Sequence, residues 1–131
     1  MPASVRGRCE AIEECYEFML AYAAQGLSGD AGQENAGQLR ALLTQAADAL
    51  DGLAGAFRAA VAAAQLTPAA AYDSFLTVLE RDAAASLAAV RLVLAQPAIS
   101  SQLVDNLNAS IHLRALLTDL FLIDEILHPR A

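Results

Sequence analysis

Four polar residues in the last third of the chain are the best candidates for chemistry. Asp105, His112 and Asp119 follow one another at steps of seven residues, and Asn108 lies beside them. On one α-helix this spacing stacks the side chains along a single line. An imidazole together with carboxylates suits first-row metal ions, so the line is a candidate ligand or metal site. Neighbours seven residues apart are nevertheless about 10 Å apart along the helix axis, which is too far for one ion.

The same line also has a structural interpretation. Polar groups that are partly buried in a helical protein need partners, because an unpaired one costs about 1–3 kcal/mol. A hydrogen-bonded ladder of Asp105, Asn108, His112 and Asp119 would fix the register of the helix or the geometry of a dimer. The tyrosines and arginines of the chain are the candidate partners. Spacing alone leaves both interpretations open.

The other reactive residues do not combine into a recognisable site. Glu125 and His128 form one Glu-x-x-His motif, whereas a di-iron bundle needs two such motifs and a further glutamate on each of two other helices. Cys9 and Cys15 point about 120° apart around a helix and cannot pair, so we expect buried, reduced thiols. The sequence therefore assigns no catalytic residue, no cofactor and no metal ligand.

Helical periodicity in four stretches predicts the elements that carry these residues. Apolar side chains recur at steps of three and four residues, and alanine, the strongest helix former, is abundant. The predicted helices cover about 4–25, 35–64, 68–95 and 100–128. Short connections make the last three antiparallel neighbours. We therefore expect an all-α fold, an up-and-down antiparallel four-helix bundle, in a single domain over residues 1–131.

The segments between the predicted helices carry typical turn and capping residues. A stretch rich in Gly, Asp and Asn predicts a flexible loop at 26–37. Thr67 is the expected N-cap of the third helix, with Pro68 at the first helical position. Ser100 or Ser101 is expected to cap the last helix.

Two glycines lie inside the second predicted helix. Gly52 and Gly55 each cost about 1 kcal/mol relative to alanine in a helix interior. We interpret them as points where a neighbouring helix approaches closely, or as tolerated defects.

The last predicted helix is apolar on two opposite faces. One face carries Leu107, Ile111, Ala115, Leu122 and Ile126, flanked by Leu103, Val104 and Phe121. The opposite face carries Leu113, Leu116, Leu117, Leu120, Ile123 and Leu127. A helix that is apolar all round needs a second partner, and two-fold homodimers are the commonest soluble oligomers. We expect the first face to pack into the core and the second to form a dimer interface, unless the first helix or the 26–37 loop covers it.

Composition and charge argue against several classes of function. The chain of 131 residues has a net charge of −7, and all eight basic residues are arginines. The negative charge opposes nucleic-acid binding, and no basic amphipathic face indicates binding to a membrane. The first residues show no apolar stretch of a secretory signal, so we expect a cytoplasmic protein, and a bacterial one from its composition.

These observations together predict a non-catalytic helical interaction or regulatory module. We expect a homodimer that forms through the last helix, or a complex with another protein. The alternative is a bundle that binds a small molecule or a metal, or an enzyme, with its site around Asp105, His112 and Asp119. The residues support no assignment to a family.

Overall fold

The structure, a computed structural model, describes residues 4–28 and 36–129 and builds six α-helices from them. In chain order they are α1 (Val5–Ala23), α2 (Ala36–Leu50), α3 (Leu53–Ala64), α4 (Ala69–Leu94), α5 (Ser101–Ala109) and α6 (Ile111–Leu127). The predicted all-α class is confirmed, since these ranges contain no strand. The four-helix up-and-down bundle is not confirmed, because two of the four predicted helices are each divided. Over the same ranges, no helix has both the length and the hydropathy that crossing a membrane requires.

Gly52 divides the predicted helix 35–64 into α2 and α3. Its backbone is left-handed, with φ at +87°, a conformation that costs residues other than glycine about 1–2 kcal/mol. A Cβ on Gly52 would meet the Arg8 side chain at 3.7 Å, which is an ordinary contact. There is room for a side chain, so it is the left-handed backbone that requires glycine at this position. A Cβ on Gly55 would meet nothing within 4 Å. Neither glycine therefore marks the close approach of another helix.

Ser110 divides the predicted helix 100–128 into α5 and α6. Its backbone is extended, with φ at −62° and ψ at 139°. Its N–H donates to the Leu107 carbonyl at 3.1 Å and ends α5, while its hydroxyl accepts from the Leu113 N–H at 3.4 Å and begins α6. Residues on the two sides of Ser110 no longer share a face. Leu107 is buried, whereas Ile111, four residues later, is 75% exposed.

The six helices pack around one core made largely of leucine and alanine. Helix α1 packs chiefly against α2 and α5, and α4 packs against α2, α3 and α6. Tyr22, Phe57 and Met19 are the largest side chains that are fully buried. Because α6 follows α4 and not α1, a gap remains between the start of α1 and the end of α6.

A buried hydrogen-bond network joins the end of α1 to the start of α5. The Tyr22 hydroxyl donates to the Ile99 carbonyl at 2.8 Å. The Ser101 hydroxyl donates to the Tyr22 carbonyl at 2.7 Å and accepts from the Leu27 N–H at 2.8 Å. Ser100 is the residue that caps α5, as one of the two predicted candidates. Ser101 is instead the first residue of the helix, and its side chain holds the chain segment after α1 in place.

Two arginines bind the C-terminal ends of neighbouring helices. Arg8 of α1 donates to the carbonyls of Ala49 and Asp51, at 2.9 and 2.7 Å, where α2 ends. Arg40 of α2 donates to the Gln96 carbonyl at 3.0 Å, just after α4. A cation at a helix C-terminus contributes about 0.3–1 kcal/mol at the surface and more when it is partly buried. Both arginines thus stabilise helix ends and hold pairs of helices together.

The remaining connections differ little from the prediction. Helix α4 begins at Ala69, so Pro68 is its N-cap and not its first helical residue. Within the predicted loop 26–37, residues 29–35 lie outside the described residues, and α2 already begins at Ala36.

The two glycines of the second predicted helix give a test of the interruption. Gly52→Ala should destabilise the protein by about 1–2 kcal/mol, because alanine resists the left-handed backbone. Gly55→Ala should stabilise it by about 0.5–1 kcal/mol, because Gly55 is helical and has open space around it. Urea unfolding of both variants shows whether each substitution lowers or raises the free energy of unfolding. If both substitutions were stabilising, α2 and α3 would form one continuous helix as the sequence predicted.

Candidate functional site

The leucine-rich face that the sequence assigned to a dimer interface lies inside the core of a single chain. Five of its six side chains are buried and the last is partly buried; the set is Leu113, Leu116, Leu117, Leu120, Ile123 and Leu127. These side chains are not accessible to a second copy in this structure, so the assignment of the two faces is corrected. Both faces have helical spacing, and periodicity could not decide which one points inward. The interruption at Ser110 decides it, because it frees α6 from the orientation of α5.

The opposite side of α6 is exposed and apolar. We define the outer face of α6 as four side chains, each more than half exposed: Ile111, Phe121, Leu122 and Ile126. Only three other large apolar side chains among the described residues are exposed, Leu20, Val78 and Leu92. Scattered apolar residues are normal on a surface, whereas a concentration on one helix is typical of an interaction site.

Contacts between α4 and α6 show that these helices are antiparallel. The Ser86 hydroxyl on α4 donates to the His112 carbonyl at 3.0 Å. Asp82, one turn earlier on α4, interacts with Asp119, two turns later on α6. Val78 lies one further turn back along α4, level with the second half of the outer face, and its side chain is exposed.

Two carboxyl groups meet between α4 and α6. Asp82 and Asp119 are both half-buried, and the Oδ2 atom of Asp119 is enclosed with no hydrogen-bond partner within the described residues. Burial, a side-chain hydrogen bond with Asp82 and repulsion from the Asp82 carboxylate raise the pKa of Asp119 from 3.8 to about 7. Protonation of Asp119 removes the repulsion between the two carboxylates. The pair therefore holds a proton up to near-neutral pH.

Sequence reasoning missed the partner in this pair. Asp82 is not among the candidate residues that the sequence predicted. Asp82 lies three residues after Leu79 and directly before Ala83, both of which are buried. Its position at the edge of the apolar stripe was the available signal.

The four residues of the predicted polar line are not brought together. The interruption at Ser110 leaves Asp105 and Asn108 on α5, and His112 and Asp119 on α6. Asp105 and His112 are exposed, whereas Asn108 is buried and its amide has no hydrogen-bond partner within the described residues. Over residues 4–28 and 36–129, no group of three or more His, Cys, Asp or Glu side chains is placed to hold a metal ion. The four residues do not form one ladder or one ligand site in this structure.

Of the remaining candidates, Cys9 and His128 line one cleft, whereas Cys15 does not. The His128 Nδ1 atom lies 3.3 Å from the Asp124 carboxylate, the residue before the Glu-x-x-His motif. Both cysteines are free thiols, Cys15 buried and Cys9 partly buried. Burial, reinforced by neighbouring carboxylates, raises the pKa of Cys15 to about 12 and that of Cys9 to about 11. Both therefore remain protonated, and poor nucleophiles, at neutral pH.

Comparisons with known proteins provide no relative whose function could be carried over. The chain matches no protein-family model, and no curated protein or solved structure matches it significantly. Its function is therefore argued from its own residues.

The carboxyl pair predicts how stability depends on pH. Because the folded protein raises the pKa of Asp119, the folded state binds the proton more tightly than the unfolded chain. The stabilisation from this group is complete below pH 3.8 and is lost as the pH rises through about 7. Asp119→Asn, which can donate a hydrogen bond at every pH, should therefore gain stability relative to the wild type between about pH 4 and about pH 8.

The measurement is urea unfolding of both proteins across that pH range. Asp105→Asn is the matched control, since it removes the same charge from an exposed position on α5. Its free energy of unfolding should run parallel to that of the wild type. A parallel curve for Asp119→Asn as well would show that Asp119 holds no extra proton.

Proposed function

We propose that the chain is a non-catalytic helical interaction or regulatory module that forms a homodimer through the outer face of α6. The observation that carries the proposal is the concentration of four exposed large apolar side chains on this one helix. Their exposure in a single chain is unfavourable, and burying each one contributes up to about 1.5–3 kcal/mol. A second protein surface is the simplest way to bury all four together.

The apolar side chains of the outer face are spaced so that the outer faces of two subunits could pack against each other. In a two-fold arrangement, a contact between one residue and a second residue of the partner is matched by the reciprocal contact across the axis. Ile111 and Ile126 lie seven and eight residues from Thr118, on opposite sides of it. Two α6 helices that cross antiparallel near Thr118 would bring Ile111 of one subunit close to Ile126 of its partner. Leu122 and Val78 would then pack between these two contacts.

The separation of the candidate catalytic groups supports a non-catalytic role. Asp105 lies on α5 and His112 lies on α6, beyond the interruption, where both are exposed. Asp119 faces Asp82 instead. The alternative function, a ligand or metal site built from Asp105, His112 and Asp119, would require these three side chains to converge, and nothing in their positions favours it.

The proposal predicts the oligomeric state and a residue on which it depends. Native mass spectrometry and analytical ultracentrifugation of the wild type should give twice the chain mass of 13.7 kDa. Leu122→Asp should weaken dimerisation at least about tenfold, because a carboxylate would have to be buried against apolar side chains. It should leave the free energy of unfolding of the monomer nearly unchanged, since the position is exposed.

Leu92→Asp is the matched control for this experiment. Leu92 is also an exposed leucine, but it lies on α4 outside the outer face of α6. This variant should remain dimeric. A monomeric wild type would reject the homodimer and leave the face to another protein, and a dimer that survives Leu122→Asp would place the interface elsewhere.

A further inference from the structure

A cleft of about 660 Å³ opens at one end of the molecule, between the start of α1, the end of α3 and the end of α6. It exists because α6 packs along α4 after the interruption at Ser110 and does not close against α1. Binding sites for small molecules usually have volumes of about 300–1,000 Å³. The cleft is therefore large enough for a small organic ligand. It lies on the inner side of α6, away from the outer face.

The walls of the cleft are mainly apolar and come from all three helices. They include Val5 and Cys9 of α1, Phe57 and Val61 of α3, and Leu120 and Leu127 of α6. Phe57 and Leu120 are buried and belong to the core, so the deep part of the cleft rests on rigidly packed side chains. The other four are only partly buried and keep apolar surface available to a ligand.

Carboxylates line the opening on two sides. Among the described residues, Glu10 and Glu13 of α1 and Asp124 of α6 contribute three negative charges, against one positive charge from Arg6. The His128 imidazole also lines the cleft, 3.3 Å from the Asp124 carboxylate. Burial of the Glu13 carboxyl group is the main cause that raises its pKa, and repulsion from the Asp124 carboxylate is the next. A positive charge placed between these carboxylates would relieve their repulsion.

Two of the three helix ends at the cleft act in the same direction. Helices α3 and α6 both direct their C-terminal ends to it, and a helix C-terminus carries a partial negative charge. Helix α1 directs its N-terminus there, where the Ser4 hydroxyl already accepts from the Gly7 N–H at 3.1 Å. Among the described residues, the three carboxylates and two helix C-termini at the opening thus outnumber one arginine and one helix N-terminus.

We propose that this cleft binds a small organic cation with an apolar body, such as an arylalkylamine. The apolar body packs against Phe57, Val61 and Leu120, and the ammonium group lies between Glu13 and Asp124. This assignment combines the two properties of the site, an apolar floor and a negatively charged opening. An anionic ligand would be repelled by the carboxylates at the opening, and a neutral one would lack the charge attraction that an ammonium group gains there.

Three probes with the same apolar body and different charge test the proposal: 4-phenylbutylamine, 4-phenylbutan-1-ol and 4-phenylbutanoate. Titrations of the full chain, followed by NMR chemical shifts of the valine and leucine methyl groups, give an affinity and a location for each probe. The amine should bind with shifts concentrated on Val5, Val61 and Leu120. The alcohol should bind at least about threefold more weakly, and the carboxylate most weakly of all.

Variants at the opening test the effect of charge on binding, and a variant in the wall tests the effect of filling the cleft. Glu13→Gln and Asp124→Asn should each weaken binding of the amine about three- to tenfold. Glu14→Gln, the matched control, removes the same charge from an exposed position on α1 outside the cleft and should change nothing. Ala60→Trp should abolish binding of all three probes, because Ala60 lines the cleft but is not part of the core.

Each contrary result overturns a defined part of the proposal. Equal affinities for the three probes, or an effect of Glu14→Gln as large as that of Glu13→Gln, would show that the opening does not select charge. Shifts outside the cleft, or no binding of the amine, would reject the cleft as a cation site. These outcomes do not depend on the oligomeric state, which is measured separately on the outer face of α6.

Discussion

The interruption at Ser110 is the constraint on which most of this structure depends. One extended residue ends α5 with its N–H and begins α6 with its hydroxyl. Because α6 is released from the direction of α5, it follows α4, and its leucine-rich side faces inward. The same interruption separates Asn108 from His112 and leaves the cleft open beside α1. The inner packing, the outer face and the cleft are three consequences of one break.

The sequence predicted the parts of the fold that depend on local signals. The all-α class and the single helices α1 and α4 follow from periodicity and alanine content, which operate over short stretches of chain. The break at Gly52 also had a local signal, since Asp-Gly is a typical turn pair. It was overlooked because a glycine inside a periodic stretch can also be a tolerated defect, and only its positive φ distinguishes the two.

The break at Ser110 had no comparable signal. The surrounding residues, Asn-Ala-Ser-Ile-His, contain neither glycine nor proline, and the residue three positions after Ser110 is Leu113, so no capping box is present. The apolar pattern continues across the break on both sides. The packing that the break permits is also invisible to local patterns. It involves Ser86 and Asp82 on α4, residues that are distant in the chain.

The distribution of charge shows the same division between local and long-range information. The net charge of −7 can be counted from the sequence, but its placement cannot. Arg8 and Arg40 donate to carbonyl groups at helix ends that are distant in the chain. Glu13 and Asp124, more than a hundred residues apart in the chain, meet at the same opening only because α6 follows α4. Acidic character is thus a property of the composition, whereas an acidic site is a property of the fold.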